Sequence, residues 1–206
     1  GADGRAYMVG HGCLRLSPDY VCSWITGDSV HLARTKAWPN PDRMNDPDFW
    51  EFYAGKDLAT GADKWESQIS AAAPLFVWPP SRVGGVTMTW NEGLGLYLTV
   101  MVTAHNASDP HGQFKAYDTY VLESPTITGP FHLVSYMENF GEQAYCTNLV
   151  SKFWSEGGTV GIMAHSSDFT FNNTAYRTKP YGGRYGLVMR EIRLDLHPQH
   201  RLPRFV

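Results

Sequence analysis

The stretch VTMTWNEGLGLYLTVMVTAHN, Val86 to Asn106, decides how the chain is read. Val86 to Trp90 and Tyr97 to Val102 are runs rich in β-branched and aromatic residues. Asn91-Glu92-Gly93 between them is turn chemistry, so the pair reads as an antiparallel hairpin. Downstream, DTYVLES (Asp118 to Ser124) and FHLVSYM (Phe131 to Met137) extend the pattern, separated by Thr128-Gly129-Pro130. Four successive antiparallel strands of this kind are one blade of a β-propeller.

Working outward, further strands are expected over Arg5 to Val9, Ser29 to Thr35, Trp50 to Ala54, Tyr145 to Phe153, Val160 to Ala164 and Tyr185 to Leu194. A short helical turn is expected near Pro47 to Trp50, capped by Asn45 or Asp46. Three segments repeat one ending: AYMVGHG places His11 after an apolar run, LTVMVTAHN places His105 there and GIMAHSS places His165. Each precedes a polar loop and another strand, GDSVHLART, YDTYVLES or RYGLVMREI, which sets Asp28 and Asp118 in equivalent places. With blade strands labelled a to d from the central channel outward, the middle blade is complete. The last shows a, b and c, and the first shows b, c and d. The expected fold is therefore all-β, one domain over 1–206: a partial blade and linker over 1–80, a complete blade over 81–139 and a last blade over 140–206. A ring closes with about 4 to 8 blades. This chain would supply two to three of them, as the C-terminal part of the propeller, and another chain or segment would complete it.

Composition excludes several classes. The chain has 206 residues, 43% hydrophobic and 18% charged, which suits a folded domain with a sizeable core. A net charge of -3 carries no basic footprint, so neither nucleic acid nor an anionic membrane surface is an expected partner. The apolar runs, such as Leu96 to Ala104, are too short to span a bilayer. The chain opens as if inside a domain, so any targeting signal is expected to lie upstream or to have been removed. Cys13 and Cys22 flank one loop and can pair, whereas Cys146 is expected to be a buried free thiol. The sequons Asn106-Ala107-Ser108 and Asn172-Asn173-Thr174, with that cysteine pair, point to a secreted protein.

The segments GHGC, GDSVHLAR, NDPDFWEFYAG, VTMTWNEGLGLYLTV, TYVLESPTITGPFHLVSYM, FGEQAYCTNLVSKF and RYGLVMREIRL resemble the C-terminal half or more of secreted fungal and bacterial proteins. Their fold is similar to the five-bladed β-propeller of glycoside hydrolases, the group of arabinanases, endo-D-arabinanases and family 43 enzymes. ESPTITGPF is similar to the SxxxxGPF signature on outer blade strands of such hydrolases. The resemblance implies a five-bladed ring and a carbohydrate substrate.

Antiparallel blades bring the start of a, the end of b, the start of c and the end of d to one rim. Glu142, His11, His105, His165, Asp28, Asp118 and Glu138 should all face it, while the turns at Asn91 and Glu156 fall on the opposite side. Glycoside hydrolysis needs two carboxyl groups, one protonated and one ionised. Glu142, at the mouth of an innermost strand, is the expected acid, and Asp28 the favoured second carboxylate within this chain. A base on further blades is an equal alternative, with Asp118 the third choice. His11, His105, Asp118, Gln143, Tyr145, His165, Arg184 and Trp24 are the expected substrate contacts. Trp24 is the best sugar platform; Trp90 and Trp154 read as packing core.

Each of these residues has a structural alternative. An Asp ahead of a strand often bonds nearby backbone amides, and repeated histidines also suit a role in the blade rim. No cofactor is expected. No metal site is expected either, although the three histidines could converge on an ion at the channel. The chain is expected to be a glycosidase acting on polysaccharide or oligosaccharide. One alternative is a noncatalytic propeller that binds glycan or protein, and another is a polysaccharide lyase using rim His and Tyr as base and acid.

Overall fold

Among the described residues, β-branched and aromatic side chains in alternation build twelve strands in three antiparallel sheets. The computed structural model describes residues 3–14, 22–79, 83–105, 116–141, 143–167 and 186–196. The first sheet runs β1 (Tyr7–Gly12), β2 (Ser29–Thr35), β3 (Trp50–Lys56) and β4 (Asp63–Glu66), and β5 (Phe76–Val77) also pairs with β2. The second runs β6 (Gly85–Asn91), β7 (Leu96–Ala104), β8 (Tyr117–Ser124) and β9 (His132–Met137). The third runs β10 (Tyr145–Leu149), β11 (Val160–Ser167) and β12 (Gly186–Arg193). Among the described residues the only helical turns are short 3-10 turns, so no helix there is long and apolar enough to cross a membrane.

The all-β class and the strand order of the second and third sheets follow the sequence reading. Pro47–Phe49 forms the expected helical turn, with Asp46 accepting from the Asp48 amide. The strand expected over Tyr145 to Phe153 instead stops at Leu149 and continues as a 3-10 turn over Ser151–Phe153. β4 and β5 occupy a stretch where no strand was expected. Asp63–Glu66 lacks an apolar run, and its pairing is fixed by Trp65 opposite Tyr53 and by the Lys56–Asp63 ion pair at 2.7 Å.

The second sheet is buried on both faces. Val30, Val83, Met101, Tyr120 and Leu122 fill the space between it and the first sheet. Leu98, Val100, Val121, Leu149 and Met163 fill the space between it and the third. Each such side chain contributes about 1.5–3 kcal/mol by leaving water. The sheets meet most closely along their first strands, where β6 packs against both β1 and β10.

Alternation along β6 makes this joint. Val86 and Met88 point to the first sheet. Thr87 and Thr89 donate their hydroxyls to the backbone carbonyls of Thr147 (3.1 Å) and Leu149 (2.7 Å), and Asn91 Nδ2 donates to Gly158 O (2.8 Å). Backbone approach is closest at two glycines. A Cβ on Gly84 would fall 2.0 Å from Val102 O, and one on Gly93 would fall 2.3 Å from the Gly157 backbone. The two outer faces of the stack carry exposed apolar side chains, Met8 and Ile69 on the first sheet and Leu187 and Met189 on the third.

Candidate functional site

Cys13 and Cys22 are joined by a disulfide, as expected, which belongs to an oxidising environment. The bond ties the end of β1 to the segment that opens β2. From this segment Ser23 and Thr26 bond each other, and His11 Nε2 lies 2.9 Å from Ser23 O. Next in the chain, Trp24 turns toward the other sheets. Its ring centroid is 5.3 Å from that of Tyr145, nearly perpendicular, and 6.5 Å from that of Tyr117. Tyr117 and Tyr145 in turn stand 6.4 Å apart. Three aromatic side chains, one from each sheet, thus meet at one end of the stack over a floor of Ile25, Val102 and Ala104. Trp24 remains 50% exposed.

Beside this wedge lies a hydrogen-bonded pair. His105 follows β7, and Asp118 sits directly across from Thr103 at the start of β8. His105 Nδ1 is 2.9 Å from Asp118 Oδ1, and the Asn139 amide donates to the same oxygen at 3.0 Å. The Tyr136 hydroxyl donates to Asp118 Oδ2 at 3.0 Å. Asp118 is 1% exposed, so these donors replace the water it lost. An ionised carboxylate only accepts, so the contact places the imidazole proton on Nδ1 and turns Nε2 toward Glu138, 3.7 Å away. Desolvation and then the bond to Asp118 push the Tyr136 phenol up to about 12.

His165, in β11, is 1% exposed. Its Nδ1 lies 3.0 Å from Ser166 O, its ring meets Phe140 edge-on at 5.4 Å, and its Nε2 has no hydrogen-bond partner among the described residues. Burial pushes its pKa below the ordinary histidine value, which the Ser166 carbonyl opposes. Gln143 is 1% exposed and left-handed at φ 53°, so it is a buried member of the turn into β10.

The structure therefore places His11, Trp24, His105, Asp118, Gln143, Tyr145 and His165 at or near the strand ends on this side, where Trp24 meets Tyr145 and His105 meets Asp118. Glu142 and Arg184 lie outside the described residues, as do Asn106 and the Asn172 sequon. Asp28 reaches the same end but is 2% exposed, and its Oδ1 accepts the Leu14 amide at 2.8 Å. That bond is the backbone-turn role an aspartate ahead of a strand commonly has. The described carboxylates at this end thus divide into two buried and engaged, Asp28 and Asp118, and one exposed, Glu138. Among the described residues no group of three or more His, Cys, Asp or Glu side chains is arranged to hold a metal ion.

Two expectations are corrected. Cys146 is exposed rather than buried, because it sits at φ 52° in the irregular register between Tyr145 and Asn148. Trp90 is 44% exposed rather than core, since it points from β6 into a gap between the first two sheets. Tyr117 and Tyr136 were not singled out from sequence. Tyr117 precedes Asp118, where an alternating strand places it on the opposite face, and nothing local marks that face as the one Trp24 meets. No family model, curated protein or solved structure matches this chain.

Proposed function

We propose that this chain belongs to a β-propeller glycoside hydrolase and that the end carrying Trp24 binds its polysaccharide or oligosaccharide substrate. The observation that carries the reading is the half-exposed Trp24 ring held against Tyr145 and Tyr117, each from a different sheet. A flat aromatic face fixed by edge contacts suits the apolar face of a sugar ring. His11 and His105 flank it with ring nitrogens that can bond hydroxyls. A five-bladed ring is supported by the way successive sheets join along β1, β6 and β10. Further blades, from another chain or segment, would cover the apolar outer faces around Met8 and Leu187.

Asp28 is taken out of the acid–base pair, since its side chain serves the backbone of Leu14. Glu142 remains the proposed acid, with its partner carboxylate on the completing blades. The test is turnover and binding of Glu142→Gln against a panel of plant, fungal and bacterial polysaccharides. Loss of turnover with binding retained supports hydrolysis. Unchanged turnover removes Glu142 from the mechanism. Binding with no turnover in the unsubstituted protein leaves a noncatalytic glycan-binding propeller.

The His105–Asp118 pair favours a second reading, a polysaccharide lyase. His105 Nε2 would take the proton from the carbon beside a uronate carboxyl, the electron pair would form a C=C bond as the adjacent C–O bond breaks, and the departing oxygen would gain a proton from water. An unsaturated product absorbing in the ultraviolet would decide for it.

A further inference from the structure

At the end of the stack away from the Trp24 wedge, the facing surfaces of the first and second sheets separate. They leave an open cleft of about 960 Å³ lined by Arg5, Tyr7, Met88, Trp90, Tyr97 and Ile127. Trp90 lies next to the end of β6 and Tyr97 next to the start of β7, so these rings lie about 26 Å along the strand from His105. We propose that this cleft is a second binding site for carbohydrate, taking a neutral segment of an oligosaccharide chain. The ligand class rests on the carbohydrate reading above; the cleft itself rests on different residues.

The chemistry of the walls selects the ligand. Trp90 is 44% exposed and its ring lies 4.8 Å from that of Tyr97, tilted by 54°, so two aromatic rings line this side of the cleft. A polar wall borders it. Asp3 accepts from the Tyr7 hydroxyl at 2.7 Å and from the Arg5 amide at 3.2 Å, and its charge reaches Tyr97. Arg5 and Arg34 both bond Glu51, each at 2.9 Å. Two guanidinium groups thus face two carboxylates, Asp3 and Glu51. With that charge balanced, the wall offers donors and acceptors without a net field for an anion, which selects a hydroxyl-rich neutral ligand over a phosphate or a uronate.

The remaining wall is preorganised. The turn Pro125–Ile127 is held by Ser124 Oγ donating to Thr126 O at 2.6 Å and by Thr126 Oγ1 donating to Gly129 O at 2.5 Å. Thr128 Oγ1 then donates to Asp63 Oδ2 at 2.9 Å, tying this turn to the first sheet. A cleft with fixed walls binds without the cost of ordering them.

The test is calorimetric titration with neutral hexasaccharides of arabinose, xylose, mannose and glucose, using the unsubstituted chain, Trp90→Ala and Trp24→Ala. For at least one sugar the unsubstituted chain is expected to take two ligands. Trp90→Ala should weaken one site about 10-fold or more, and Trp24→Ala should weaken only the other. Loss of binding in Trp24→Ala with Trp90→Ala unchanged overturns the cleft and leaves the other site standing. The converse supports the cleft and rejects the other site. Binding of none of the four sugars overturns the cleft.

Hydrogen exchange on the unsubstituted chain gives a second measurement that needs no variant. Sugar should protect 5–9, 88–97 and 125–127. Protection confined to 23–26 and 143–147 overturns the proposal, as does protection of the cleft segments by raised protein concentration without sugar, which would make a second copy the occupant.

Discussion

The two ends of the sheet stack are made by the same strands, yet they are held by different means. At the Trp24 end side chains do the holding: within the second sheet Asp118 gathers His105, Tyr136 and the Asn139 amide, and Trp24, from the turn ahead of β2, meets Tyr117 of β8 and Tyr145 of β10 in one wedge. At the far end the second and third sheets meet backbone to backbone, with Gly93 against Gly157, while the first and second part to leave the Trp90 cleft. Where polar side chains do the joining, chemistry is placed within reach of a ligand. Where backbones touch, one buried side chain, Asn91, still bonds Gly158 O, and the wider opening lies one sheet interface along.

The sharpest way to break this comparison is Gly93→Ala. Its Cβ would meet backbone at 2.3 Å, which a side-chain rotation cannot relieve, so a loss of about 3 kcal/mol or more is expected in urea unfolding. A loss under about 1 kcal/mol would mean that the far-end joint is loose. Asp118→Ala comes next. It removes the acceptor of three donors in a buried place, at an expected cost of about 3 kcal/mol read from the same unfolding midpoint. Retained stability would show that the Trp24 end does not depend on this pair.

Thr89→Val tests the joint midway between the ends. The shape is kept and one hydroxyl bond to Leu149 O is lost, so about 1 kcal/mol is expected. The smallest effect is that of pH. His165 is held below the ordinary histidine pKa by burial, so the unfolded chain binds a proton that the folded one refuses. Stability from this group is intact above about pH 6.5 and falls as pH drops through that value toward the folded pKa. His165→Gln should flatten the slope between pH 7 and pH 5 in denaturant titrations; an unchanged slope would assign it to other groups, such as His31, whose pKa burial also lowers.

Much of the architecture was legible because β6, β7 and β8 of the middle sheet pair in unbroken register, the one irregularity lying between β8 and β9 at Val121/Leu122. Ser29–Thr35 and His132–Met137 fall where the residue pattern puts them. β4 was illegible because Asp63–Glu66 is mostly polar, without apolar alternation, and is held by the pairing of Trp65 with Tyr53 and of Asp63 with Lys56 across a short loop. The site was legible as a set of rim positions but not as bonds. His105 and Asp118 could each be placed at the same end from strand direction, whereas their pairing depends on the register of β7 and β8. Asp28 shows the limit of residue type: a carboxylate at a rim position spends itself on the amide of Leu14. Trp90 was assigned to the core because tryptophans usually are. Its exposure follows from a separation between two sheets that neither hairpin encodes alone.

The fasteners on β6 have a consequence for how the chain assembles. Thr87, Thr89 and Asn91 occupy alternate positions, so they reach the third sheet only while β6 keeps its pairing with β7. A hairpin displaced by one residue would swing all three to the opposite side and present Val86, Met88 and Trp90 in their stead. The third sheet then has nothing to latch onto. Docking of that sheet is thus a checkpoint that accepts correctly zipped hairpins and leaves mis-zipped ones to reopen and try again.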